Sequence, residues 1–122
     1  MKLPVTPESI DGTFVPIPHS SVAGVELDGE VVLYHEGANT VHVLNPTATI
    51  VWLCLDGSAD LNEICEDLAA VFELDEERVR ADVIAAVREF GRQGLLDAVE
   101  PDAEVVAAHT LVQADGAGVD DA

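Results

Sequence analysis

Positive charge is what this sequence lacks most. Five lysines and arginines stand against 24 aspartates and glutamates, a formal net charge of −19. A field of that sign repels nucleic-acid phosphates and anionic headgroups, so neither nucleic acid nor a membrane surface is an expected partner. Long apolar runs are missing too. None approaches the roughly 20 residues that span a bilayer. The opening Met1-Lys2-Leu3-Pro4-Val5-Thr6-Pro7 has no apolar segment of the kind a secretory signal carries, so the expected compartment is the cytoplasm. Cysteine is scarce. Cys54 and Cys65 form no CxxC motif and have no histidine cluster nearby, which points to small buried hydrophobes rather than redox or metal chemistry.

Catalytic constellations are equally thin. Serine occurs at Ser9, Ser20, Ser21 and Ser58, with no Gly-x-Ser-x-Gly elbow and no phosphate-cradling glycine loop. No catalytic residue, metal ligand set or cofactor is expected. His35 and His42 would share a sheet face in the strand register derived below, but a metal site needs a third ligand. Glu26 could offer one, yet no spacing fixes it, and half-exposed strand histidines are the simpler reading. Asp75-Glu76-Glu77 opens a helix, where negative charge suits the helix dipole.

What is present is a well-punctuated core. Apolar residues make up 48% of the chain, enough for one small domain. Residues 1–21 hold four of the six prolines and no amphipathic period, and read as an extended arm. Residues 100–122 are rich in Ala, Gly and Asp, and their composition predicts a disordered acidic tail. The domain is therefore expected over 22–99.

That domain opens with three strands. Val22–Leu27 and Glu30–His35 flank Asp28-Gly29, a type I′ hairpin signal. Glu36-Gly37-Ala38-Asn39 turns the chain into a third strand over Thr40–Leu44. The turns set Leu27 opposite Glu30, Val25 opposite Val32 and Ala23 opposite Tyr34. His35 opposite Thr40 then puts Val41 beside Tyr34 and Val43 beside Val32. One face carries Ala23, Val25, Leu27, Val32, Tyr34, Val41 and Val43, and is expected to pack on the helices. The other carries Glu26, Leu33, His35, Thr40 and His42, and is expected to see more water.

Three helices follow. Asn45-Pro46 reads as N-cap and first position of a short helix through Leu55, apolar nearly all round and so expected to be buried. Asp60 and Glu63 form a capping box for a second, with Leu61, Ile64, Cys65, Leu68 and Phe72 on its core stripe. Asp75 caps a third, with Leu74 and Val79 placed for a hydrophobic staple. Its core stripe is Val79, Val83, Ala86, Val87 and Phe90, and Gly94 stops it. The fold class is α+β: a three-stranded antiparallel sheet followed by three helices, winged helix-turn-helix-like. Four of the five cations, Arg78, Arg80, Arg88 and Arg92, lie on the third helix. That helix could be a DNA recognition element. The interleaved acids, and i,i+4 pairs such as Arg78–Asp82, argue instead for a neutralised solvent face.

From Leu44-Asn45-Pro46-Thr47-Ala48 onward the sequence resembles the PqqD family. Glu30-Val31-Val32-Leu33-Tyr34 precedes that stretch as a strand. Trp52-Leu53-Cys54-Leu55-Asp56-Gly57 is similar to the family's short helix ending in Asp-Gly. The Leu61, Ile64 and Leu68 helix and the closing Phe90 with Gly94-Leu95-Leu96 complete the series, over roughly residues 22–97. The resemblance implies a non-catalytic recognition element for ribosomally synthesised, modified peptides, a peptide chaperone. It would hold the precursor's leader as a strand added to the third strand, in the groove against the third helix. It would present the leader to a modifying enzyme, often a radical-SAM maturase. Carried onto this chain, the peptide-binding candidates are Thr40, Val41, His42, Val43 and Leu44 on the strand. On the helix they are Val79, Asp82, Val83, Ala86 and Phe90. The arm and the acidic tail are not explained by it. The competing readings are a winged-helix DNA-binding regulator and an adaptor that binds an enzyme but no peptide.

Overall fold

The computed structural model describes residues 5–101. The expected acidic tail lies outside them, apart from its first two residues. Strands β1 (Val22–Leu27), β2 (Glu30–His35) and β3 (Thr40–Val43) form an antiparallel meander. Helices α1 (Pro46–Leu53), α2 (Leu61–Phe72) and α3 (Glu76–Arg92) follow. No helix among the described residues is long and apolar enough to cross a membrane.

Local chemistry sets the boundaries. Asp28 and Gly29 both take positive φ, 53° and 83°, as a type I′ hairpin requires. The Asn45 side chain accepts from the Ala48 amide at 2.7 Å and caps α1. Asp60 and Glu63 exchange hydrogen bonds with each other's amides in a complete capping box. Asp75 caps α3 through the Arg78 amide. At the far end Gly94 turns left-handed, and the Leu95 amide donates back to the Phe90 carbonyl at 3.0 Å, which is the Schellman closure.

The strand register is the one the turns predict, from Leu27 opposite Glu30 to His35 opposite Thr40. The buried face is the reverse of the expected one. Val31, Leu33, His35, Thr40, His42 and Leu44 turn inward, while Val25, Leu27, Tyr34, Val41 and Val43 are exposed, Val43 at 67%. Two things make this possible. Val31 and Leu44 share the inner face with Leu33 and give it an aliphatic floor. Its polar members are also all hydrogen-bonded, so their burial carries no unsatisfied group. His35 Nδ1 accepts from the Ala38 amide at 3.1 Å, and the Thr49 hydroxyl accepts from the Val31 amide at 3.2 Å. His42 is tied on both ring nitrogens. Gly24 stands on this face as well. A side chain there would begin 3.2 Å from Leu33 Cδ2, so its absence lets Leu33 sit against β1.

Other expectations shift in smaller ways. α1 is amphipathic in effect rather than fully buried: Thr49 and Val51 are inside, whereas Leu53 is 61% exposed. On α2, Ala69 takes the last core position, and Phe72 lies half-exposed at the helix end. The Trp52 and Phe90 rings meet edge to face at 5.3 Å and join α1 to α3.

The arm is built into the domain. Its Pro7–Ser9 turn leads to Ile10, which is buried in the core. The Arg88 guanidinium donates to the Ile10 carbonyl at 3.0 Å. The Leu61 and Asn62 amides at the start of α2 donate to the Phe14 and Gly12 carbonyls. Single bridges, Val5 to Val99 and Pro18 to Leu96, join it to the extended segment after α3. Gly91 permits that packing, since a Cβ there would stand 2.7 Å from Val99 Cγ1. Both cysteines are free thiols. Burial pushes each above the ordinary thiol value, which suits inert packing.

Candidate functional site

The sheet order is β1-β2-β3, so β3 is an outer strand, and no described strand lies beyond it. The Leu44 amide donates to the Val31 carbonyl at 2.9 Å. In an antiparallel ladder N–H and C=O alternate in direction along the strand. Thr40, His42 and Leu44 therefore aim their backbone groups at β2, and Val41 and Val43 aim theirs away from it.

Between β3 and α3 runs a groove of about 560 Å³. Val41, His42, Val43 and Leu44 form one wall. Asp82, Ala85, Ala86, Glu89, Phe90 and Gln93 form the other, and Asn45, Thr47 and Ala48 at the start of α1 close one end. Small alanines at two positions of α3 leave the space open. Phe90 is 3% exposed and serves as floor.

A chain of side-chain hydrogen bonds ties the two walls of this groove together. His42 Nδ1 lies 2.9 Å from Gln93 Oε1, and Nε2 lies 2.9 Å from the Thr40 hydroxyl. An amide oxygen only accepts, so Nδ1 carries a proton, and in the neutral ring Nε2 accepts from Thr40. The Gln93 amide nitrogen in turn donates to Glu89 at 2.6 Å. The chain links β3 to the last turns of α3, bridging residues 51 apart in sequence.

Seven of the ten sequence candidates meet at the groove: Val41, His42, Val43, Leu44, Asp82, Ala86 and Phe90. Thr40 does not line it. Its side chain is buried and held by His42. Val79 and Val83 face the core and line a second, smaller depression of about 180 Å³ with Ile50, Leu68, Phe72 and Leu74. Thr47 and Asp82 border both spaces. Sequence reasoning missed Asn45, Thr47, Ala48, Ala85, Glu89 and Gln93. The signal for the helical ones was available: positions 82, 85, 86, 89 and 93 follow the i, i+3, i+4, i+7, i+11 spacing of one helix face.

The arginines of α3 turn elsewhere. Arg80 pairs with Glu76 at 3.1 Å and bonds Asn62. Arg88 holds Ile10, and Arg92 reaches Glu8 and Glu89. The expected Arg78–Asp82 pair is not formed. Three of the four cations of the would-be recognition helix are thus occupied by protein partners, which leaves little for phosphate contacts. The His35 and His19 rings meet at a tilt, with centroids 4.8 Å apart. Among the described residues no group of three His, Cys, Asp or Glu could hold a metal ion.

The model of the family described as coenzyme PQQ synthesis protein D (PqqD) matches residues 30–96, more than half of the chain. The chain belongs to the PqqD family. The match begins at β2 and ends after α3, so both groove walls fall inside the PqqD region, whereas β1 and the arm fall outside it. A solved structure, TbiB1 in complex with the TbiA(beta) leader peptide, is similar at 25% identity and a TM-score of 0.61. The alignment covers 66% of this chain and 94% of that one. No curated protein matches the chain.

Proposed function

We propose that this chain is a non-catalytic module that binds the leader segment of a ribosomally synthesised precursor peptide. The leader would add as a strand to β3 and lie in the groove against α3. The module would then present it, in the cytoplasm, to a separate modifying enzyme such as a radical-SAM maturase. The observation that carries the reading is the groove itself: an outer strand and a helix wall with small residues, inside the PqqD-matched region. The similar TbiB1 structure holds a leader peptide. Strand addition draws affinity from main-chain hydrogen bonds along a sheet edge, and pockets for alternate side chains supply selectivity. Val41, His42, Val43, Leu44, Asp82, Ala86 and Phe90 are the proposed contacts. Val79 and Val83 support the helix wall from beneath, and Thr40 positions His42.

The test uses a fluorescein-labelled synthetic peptide covering the N-terminal half of a short precursor encoded beside this chain. Saturable polarisation with the full chain is expected. Val43→Pro removes a main-chain donor aimed away from β2, a position where an edge strand tolerates proline. Binding should fall at least about tenfold, since a lost hydrogen bond and a disturbed edge together exceed roughly 1.4 kcal/mol, while the circular dichroism spectrum stays unchanged. Undiminished binding by Val43→Pro would reject strand addition at β3.

A further inference from the structure

No arginine of α3 lines the groove. Arg80, Arg88 and Arg92 serve the arm, the α2 start and their own helix. The groove receives only Asp82 and Glu89 as charged side chains. Glu89 is engaged by Gln93 and Arg92. The Asp82 carboxylate is exposed and has no hydrogen-bond or salt-bridge partner among the described residues. It stands where the main groove meets the second depression, on the border of both.

A peptide strand laid along β3 would cover this wall and take water from it. Desolvating a carboxylate without a partner is costly, whereas a cation beside it is attracted across the reduced dielectric. The wall therefore discriminates by sign. An acidic side chain facing α3 would meet Asp82, Glu89 and the field of a chain carrying −19; a lysine or arginine would not. Asp82 and Glu89 are two turns apart, about 10.5 Å along the axis. Residues on one face of a strand recur about every 6.7 Å. A cation near the Asp82 end is thus favoured at one defined peptide position, with a weaker preference one or two alternate positions along.

We propose that Asp82 is the specificity-determining residue of the groove, and that it selects peptides carrying a lysine or arginine on the strand face turned to α3, with Glu89 reinforcing the same sign. This rests on the groove being the peptide site.

The experiment is a selection of displayed, randomised twelve-residue peptides on the full chain, run in parallel on Asp82→Asn, Glu89→Gln and Asp82→Lys. Asp82 is exposed, so these changes leave the fold intact. Wild type should enrich peptides with a cation at one fixed position relative to an apolar strand pattern. Asp82→Asn should flatten that preference, and Asp82→Lys should replace it with Asp or Glu. Individual wild-type peptides should lose roughly fivefold in affinity on Asp82→Asn and show a shallower salt dependence. Glu89→Gln should have a smaller effect of the same sign. A cation excess spread evenly over all positions and unchanged in Asp82→Asn would reflect the net charge alone and overturn the inference. So would apolar consensus peptides with no charge preference; both outcomes leave the peptide-binding reading standing. Failure of wild type to enrich any peptide would overturn the peptide-binding reading and this inference with it.

Discussion

The two flanks of α3 differ in what they are built from and in what holds them. The arm flank is closed. Arg88 grips the Ile10 carbonyl, Arg92 reaches Glu8, and Gly91 lets Val99 come within van der Waals contact of the helix backbone. The groove flank is open, with two alanines, two acids and a glutamine facing an outer strand across about 560 Å³. One helix thus uses three of its four arginines and a glycine to hold its own chain, and turns two alanines and two of its four acids to the groove. The contrast teaches that a residue count on α3 misleads. Four arginines suggest an anion-binding helix, and their partners show that most of them are structural.

This division can be attacked from either side. The largest effect is expected from Ile10→Ala. That change removes a buried side chain of the arm and should cost about 2–5 kcal/mol of stability, read as a lower urea midpoint, with peptide affinity of the remaining folded protein unchanged. An unchanged midpoint would mean the arm is not part of the core. Next, Ala85→Arg should place a bulky cation in the open flank. Peptide affinity is expected to fall by about tenfold or more, and stability to stay within roughly 0.5 kcal/mol, as for an exposed helix position. Equal binding would show that the peptide does not touch this wall. Gly91→Ala should be a smaller perturbation on the closed flank. The added methyl meets Val99, and overpacking of about 1–3 kcal/mol is partly offset by about 1 kcal/mol of helix propensity. A more stable variant would show that the Val99 segment yields freely.

The smallest effect concerns pH. Burial, and then the neighbouring His19, hold His35 below the ordinary histidine value of 6.5. The folded state therefore binds fewer protons than the unfolded chain in the interval between the two values. Stability from neutral His35 is complete above pH 6.5 and is lost as the pH falls through the lowered folded value. Thermal unfolding followed from about pH 7.5 to 5 should show a declining midpoint that is shallower in His35→Asn. Parallel profiles for the two proteins would remove His35 as the cause.

The elements were legible because their punctuation is local. Asp28-Gly29, Asn45-Pro46, Asp60 with Glu63, Asp75 and Gly94 each act within a few residues, and each appears in its expected role. Strand pairing followed from the turns. Which face is buried did not, because the alternation is misleading here. Val25, Leu27, Tyr34, Val41 and Val43 point to solvent, while His35, Thr40 and His42 point inward. Within that inward polar set His42 is satisfied by a partner, Gln93, that no local pattern connects to β3. The groove was legible only through the family resemblance. Its helical wall would have followed from helical spacing, and the sign of its charge from the pairing of the arginines, which needs coordinates.

A bound peptide is expected to occupy the space between β3 and α3. Amide chemical-shift mapping of the labelled full chain, on adding a peptide that binds saturably, tests it most directly. Large shifts are expected at Val41, Val43 and Leu44 and along Asp82, Ala85, Ala86 and Glu89, with the arm around Ile10 and the outer strand β1 unmoved. Shifts concentrated on Val22–Leu27, or on the arm and its side of α3, with the groove silent, would contradict it.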